Sequence, residues 1–159
     1  MTSDYEYPPH EIEKMQARFR QLDKLQLGVI TFEQLVSLPA FAINPFADRL
    51  FSIIAESSDT INFEQFVSFL HVFSAHCSRP EKLRFAFRVY DWNSDGVICS
   101  DDLFNALKEM VGGNMEDLEL DELVKETMAV SDVDQDGVIS FEDFKIAMFS
   151  TDIDGIFSL

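Results

Sequence analysis

The sequence predicts an all-α protein built from four helix–loop–helix units in two lobes, with the loops of each pair joined by a short β bridge. Three observations carry this. Asp91-Trp92-Asn93-Ser94-Asp95-Gly96-Val97-Ile98-Cys99-Ser100-Asp101-Asp102 and Asp132-Val133-Asp134-Gln135-Asp136-Gly137-Val138-Ile139-Ser140-Phe141-Glu142-Asp143 share the pattern D-x-[DN]-x-D-G-x-I-x-x-x-D, 41 residues apart. Apolar residues at helical spacing flank both stretches. Two worn copies of the same stretch precede them, and all four copies keep isoleucine at the eighth position: Ile30, Ile61, Ile98 and Ile139. Such a repeat makes the unit, rather than the single helix, the building block.

Each residue of the intact pattern has a chemical reason. Oxygens at positions 1, 3 and 5 converge on a hard cation, position 7 adds a backbone carbonyl, and position 12 closes the shell from the exiting helix; this is the layout of a twelve-residue calcium loop. Glycine at position 6 permits a turn that a side chain would strain. The third loop thus offers Asp91, Asn93, Asp95, the Val97 carbonyl and Asp102, with Cys99 at position 9 acting only through water. The fourth offers Asp132, Asp134, Asp136, the Val138 carbonyl and Asp143, with Ser140 at position 9. Both close on aspartate, one methylene shorter than glutamate. That predicts weaker calcium binding than in sensor loops and tolerance of magnesium, which takes six oxygens at shorter distances.

In chain order, residues 1–10 lack periodicity and read as a flexible arm. Ile12, Met15, Phe19 and Leu22 make the first amphipathic helix. It enters a loop from Asp23 to Gln34 in which Leu25 and Leu27 stand where ligands belong, so no metal is expected there. Thr31 caps a short helix through Leu38, and Pro39 interrupts. Asn44 reads as a cap with Pro45 at the first helical position, followed by the apolar face of Phe46, Leu50, Phe51, Ile53 and Ile54. A second degenerate loop has Ile54 at position 1, Asp59 where glycine belongs and Gln65 at position 12. Asn62 caps a helix bearing Phe63, Phe66, Phe69, Leu70 and Phe73. The N-terminal lobe is thus 11–76, residues 77–81 form a linker, and 82–150 form the metal-binding lobe. In that lobe Leu83, Phe85, Phe87 and Tyr90 lead into the third loop, and Leu103, Leu107 and Met110 follow it. Gly112-Gly113-Asn114 stops that helix. The acid run Glu116 to Glu122 suits a helix N-terminus, where negative charge meets the dipole. Leu120, Val124 and Met128 enter the fourth loop, and Phe141, Phe144 and Met148 leave it. Residues 151–159 form an apolar tail.

Composition narrows the function. The net charge is −17, and residues 79–159 carry 19 acids against 7 bases, which excludes a nucleic-acid partner because nothing neutralises phosphates. Two cysteines make no disulfide framework and point to a reducing compartment. No apolar run is long enough to cross a bilayer, and Thr2 occupies the position where N-myristoylation needs glycine, so no membrane anchor is encoded. No nucleophile with a base and no phosphate-cradling glycine loop appears, so no enzyme is expected. Sixteen phenylalanines, each contributing about 1.5–3 kcal/mol when buried, exceed what two small lobes can hide. Some should line a groove for a partner helix, with Leu35, Phe46, Leu50, Phe51, Phe69 and Phe73 as candidates.

Lys82-Leu83-Arg84-Phe85-Ala86-Phe87-Arg88-Val89-Tyr90-Asp91, Leu107-Lys108-Glu109-Met110-Val111-Gly112-Gly113-Asn114, Val138-Ile139-Ser140-Phe141-Glu142-Asp143-Phe144 and Ser37-Leu38-Pro39-Ala40-Phe41-Ala42-Ile43-Asn44-Pro45 resemble the calcineurin B group of EF-hand proteins. That group comprises the regulatory calcineurin B chain of the phosphatase and the homologous proteins that bind sodium/proton exchangers. The resemblance implies a calcium-binding regulatory or adaptor subunit that grips an amphipathic helix of a larger partner, either a phosphatase catalytic subunit or an exchanger tail. It implies a cytoplasmic location, with recruitment to a membrane or cytoskeletal partner. The dead N-terminal loops match the exchanger-binding branch, whereas the C-terminal wording matches the phosphatase branch. A constitutive light chain with metal as a fixed part of its fold, and a free calcium buffer, are the competing readings.

Overall fold

The computed structural model describes residues 7–56 and 58–149. The chain divides into two compact units, the first ending at His76 and the second beginning at Cys77.

In the first unit, helix α1 (Pro9–Leu22) leads to strand β1 (Val29–Thr31) and helix α2 (Phe32–Val36). Helices α3 (Pro39–Ala42) and α4 (Ala47–Ala55), strand β2 (Thr60–Asn62) and helix α5 (Phe63–Val72) follow. The strands pair antiparallel with Ile30 opposite Ile61, and both isoleucines are fully buried. The eighth loop position thus joins the two worn loops.

Several sequence expectations are corrected here. The arm is not loose throughout: Tyr7 is buried, its hydroxyl lies 2.6 Å from His71 Nδ1, and α1 already starts at Pro9. Pro39 opens α3 rather than only breaking the chain, because a missing N–H costs nothing in a first helical turn. Asn44 is not a helix cap followed by a first-turn proline. Its Oδ1 accepts from Phe46 N in a turn, and α4 starts at Ala47. Of the groove candidates, Leu35, Phe46, Leu50, Phe51 and Phe69 are buried core; only Phe73 keeps partial exposure. Phe69 is covered by Phe41 on α3, itself buried, whose ring sits 4.9 Å from Phe69 and 5.8 Å from Phe73. Such tilted and edge-on ring pairs hold one another as well as excluding water.

The second unit runs through α6 (Arg79–Tyr90), α7 (Ser100–Val111), α8 (Asp117–Ser131) and α9 (Phe141–Ala147). Helix α6 takes in residues 79–81 of the expected linker because Ser78 and Glu81 form a capping box with Pro80 in the first turn. Phe87 packs 5.5 Å from both Phe141 and Phe144, tying the first helix of the unit to the last. Ile98 and Ile139 exchange both backbone hydrogen bonds, at 2.9 and 2.8 Å, in an isolated antiparallel bridge. Helix α7 ends at Gly112 in the left-handed region, and α8 begins within the acid run. Among the described residues no helix is long and apolar enough to cross a membrane. The tail 151–159 lies outside the described residues.

Candidate metal centre

The third loop starts where α6 ends. Asp91 caps that helix, its N–H donating to the Phe87 carbonyl at 2.9 Å. Its carboxylate turns inward, is almost wholly buried, and accepts from Asp95 N at 3.1 Å and Gly96 N at 3.0 Å. The chain can close this ring because Gly96 takes φ +93°, a conformation strained for any side chain. Asn93 Oδ1 accepts from Asp95 N, and Asp95 Oδ1 accepts from Val97 N. Asp102, 2% exposed, reaches back from α7: Oδ1 accepts from Asn93 N and Oδ2 from Cys99 N. Carboxylate oxygens of Asp91, Asp95 and Asp102 all lie within 4.8 Å of one another. Position 7, Val97, sits between the glycine and the Ile98 bridge.

The fourth loop repeats much of the geometry, but its converging cluster contains Asp134 and not the closing Asp143. Asp132 accepts from Asp136 N and Gly137 N, Asp134 accepts from Asp136 N, and Asp136 accepts from Val138 N. Oxygens of Asp132, Asp134 and Asp136 converge within 4.8 Å. Asp143, buried at the start of α9, accepts from Ser140 N at 3.0 Å and from the Ser140 hydroxyl at 2.5 Å. That hydroxyl holds the Asp143 carboxyl below the usual carboxylate range. Desolvation and the neighbouring Asp136 charge push Asp134 upward. Crowding like charges in this way is costly unless a cation joins them.

The donor set fits a hard divalent ion. Each loop gathers carboxylate oxygens with no thiolate or imidazole among them, as calcium and magnesium prefer. Asp102 and Asp143 are buried, and neither has a cationic partner among the described residues. Burial, followed by the hydrogen bond to Asp102, pushes the Cys99 thiol upward.

The profile of the EF-hand domain pair matches residues 80–149, the span holding both loops. The calcineurin B protein of Candida glabrata is 38% identical over 154 residues, covering 96% of this chain and 88% of the relative. Those of Naegleria gruberi and Schizosaccharomyces pombe are 41% and 40% identical, covering 91% of this chain in each case and 82% and 84% of the relatives. The chain belongs to the calcineurin B family of EF-hand proteins.

In this member of the calcineurin B family, the first N-terminal loop keeps the position-1 ring of the intact loops, and both N-terminal loops keep their cap between positions 9 and 12. Asp23 accepts from Leu27 N at 2.9 Å and Gly28 N at 2.8 Å, the same ring that Asp91 makes. Leu25 and Leu27 point outward, 75% and 69% exposed. In the second loop Gln65 replaces a closing carboxylate with an amide that works at both ends: Oε1 accepts from Asn62 N, and Nε2 donates 3.0 Å to the Ile54 carbonyl at position 1.

One role of position 12 goes beyond the sequence reading. In all four loops position 9 is the N-cap and position 12 is the third helical residue of a capping box: Thr31 with Gln34, Asn62 with Gln65, Cys99 with Asp102, Ser140 with Asp143. The spacing signal is present as a capping residue followed three places later by a residue that reaches back. Replacing Gln65 with alanine is expected to cost about 0.5–2 kcal/mol, read from urea unfolding, with no change in bound calcium. Rebuilding the first loop with Leu25→Asp, Leu27→Asp and Gln34→Glu is expected to add one calcium ion per chain in equilibrium dialysis, because the Asp23 ring is already closed.

Proposed function

We propose that this chain is a calcium-binding regulatory subunit that holds an amphipathic helix of a calcineurin-type catalytic subunit. It carries two metal ions, both in the second unit. The observation that carries the reading is the pair of converging carboxylate clusters joined through Ile98 and Ile139, in a chain whose relatives are calcineurin B proteins. Asp91, Asn93, Asp95, Asp102 and the Val97 carbonyl hold one ion. Asp132, Asp134, Asp136, Asp143 and the Val138 carbonyl hold the other. The cation supplies the charge that lets these carboxylates sit together, and the Ile98–Ile139 bridge makes the two loops answer as a pair. The protein performs no chemistry of its own; the activity belongs to the partner.

Apolar surface suited to a helix is present in each unit. In the first, a groove of about 580 Å³ between α1 and α5 includes Met15, Leu70 and Phe73. In the second, Leu118, Ile146 and Phe149 are exposed at 71%, 59% and 84%. A pull-down in which the full chain is the bait for purified calcineurin catalytic chain, with an exchanger juxtamembrane helix as competitor, tests the partner. Retention of the catalytic chain supports the reading; retention of only the exchanger helix turns it to the other branch.

Short closing carboxylates set the affinity. Asp102 Oδ2 and Asp143 Oδ2 are each committed to an N-cap N–H, so a bidentate grip on calcium would surrender a cap. Asp102→Glu plus Asp143→Glu is expected to tighten calcium by about tenfold and to weaken magnesium, measured by calorimetric titration of each ion. Unchanged selectivity would remove this account of the closing position.

A further inference from the structure

We propose that the α1–α5 groove of the first unit selects a partner helix with an acidic flank. This deepens the helix-holding reading above and rests on it. The groove has an apolar floor from Met15, Leu70 and Phe73 and a lip carrying Lys14 and Arg18. Those two cations stand one helical turn apart on α1, both exposed, and neither makes a hydrogen bond or ion pair among the described residues. Like charges at this spacing weaken a helix. Glu11, the acid at the same groove, faces His10 and His76 at 4.0 and 3.6 Å instead.

The setting makes this placement informative. Residues 1–78 hold only five bases against ten acids, and four of those bases fall between positions 14 and 24. The net charge of −17 favours a basic ligand at long range, but screening at about 8 Å in physiological salt leaves the decision to charges in contact. At the groove those are Lys14 and Arg18 against the single acid Glu11, which leaves a net positive lip. An amphipathic helix whose apolar face meets the floor and whose flank carries glutamate or aspartate satisfies both surfaces. A helix with a lysine flank meets two like charges.

Three synthetic amphipathic helices with one common leucine face and glutamate, glutamine or lysine flanks test this by fluorescence anisotropy with the full chain. The glutamate peptide is expected to bind about tenfold tighter than the glutamine peptide, the lysine peptide weakest, with the differences shrinking as salt rises. Lys14→Glu plus Arg18→Glu is expected to reverse the glutamate–lysine order while leaving far-UV circular dichroism and calcium stoichiometry unchanged. The same order in both proteins overturns the proposal. So does equal binding of all three flanks; if that binding is lost in Phe73→Asp, helix holding stands and charge selection alone fails. Absence of binding by any peptide also overturns it, while pull-down of the catalytic chain separately decides the reading beneath.

Discussion

Calcium is expected to raise the melting temperature of the wild-type chain and to leave that of the Asp91→Ala plus Asp132→Ala chain unchanged. A ligand that binds only the folded state adds stability by mass action, about 4.1 kcal/mol per site at a thousandfold excess over Kd. Both substitutions remove position 1, which has two jobs. On the proposed reading each aspartate supplies a ligand oxygen, and in the structure each closes the loop by accepting two backbone N–H groups. The variant therefore starts from a lower melting temperature, and the informative quantity is the calcium-induced shift rather than the starting value. Differential scanning calorimetry with chelator and then with calcium reads it directly. A shift that survives in the double variant would place the metal elsewhere.

Phe66→Ala is expected to unfold the first unit at markedly lower denaturant, at a cost of about 3–5 kcal/mol. Phe66 is fully buried, with the Phe19 ring 5.5 Å away, so it ties α5 to α1. Truncation leaves a cavity between two helices whose loops, on the proposed reading, hold no metal to tighten them. Calcium is accordingly expected not to restore the lost stability of this unit. Phe149→Ala is the matched control: its ring is 84% exposed, and the change should stay within about 0.5 kcal/mol. Urea unfolding followed by far-UV circular dichroism compares the two. Similar costs at both positions would contradict the assignment of core and surface.

How much of this is legible in the sequence depends on how local each feature is. The carboxylate clusters of the two candidate metal loops are legible because every candidate ligand lies within twelve residues, and spacing alone brings the oxygens together. The isoleucine bridge is legible because the same position recurs four times. The groove candidates are not, since helical periodicity tells which face of a helix is apolar and not what covers it. Leu50 and Phe51 on α4 and Phe69 on α5 have the right spacing for a binding face and are core instead. The cover over Phe69 comes from Phe41, on a four-residue helix that begins with a proline and reads as a break. Tyr7 escapes for a related reason: a single residue has no period, and its partner His71 lies 64 positions away.

The reciprocal caps show a subtler limit. Gln34 and Gln65 read as failed ligands, which describes what they lack. The structure shows what they do: each holds the backbone N–H of its N-cap, and Gln65 also ties down position 1. A loop can therefore lose its metal and keep its shape, because the hydrogen bonds that organise it are made by the backbone and by position 12 whether or not a cation is bound.

The division of labour between the units is tested most directly by counting calcium ions on the full chain by native mass spectrometry in a magnesium-free calcium buffer. The account predicts two ions on the wild-type chain and none on the Asp91→Ala plus Asp132→Ala chain. A third ion on the wild type, or an ion retained by the double variant, would contradict it.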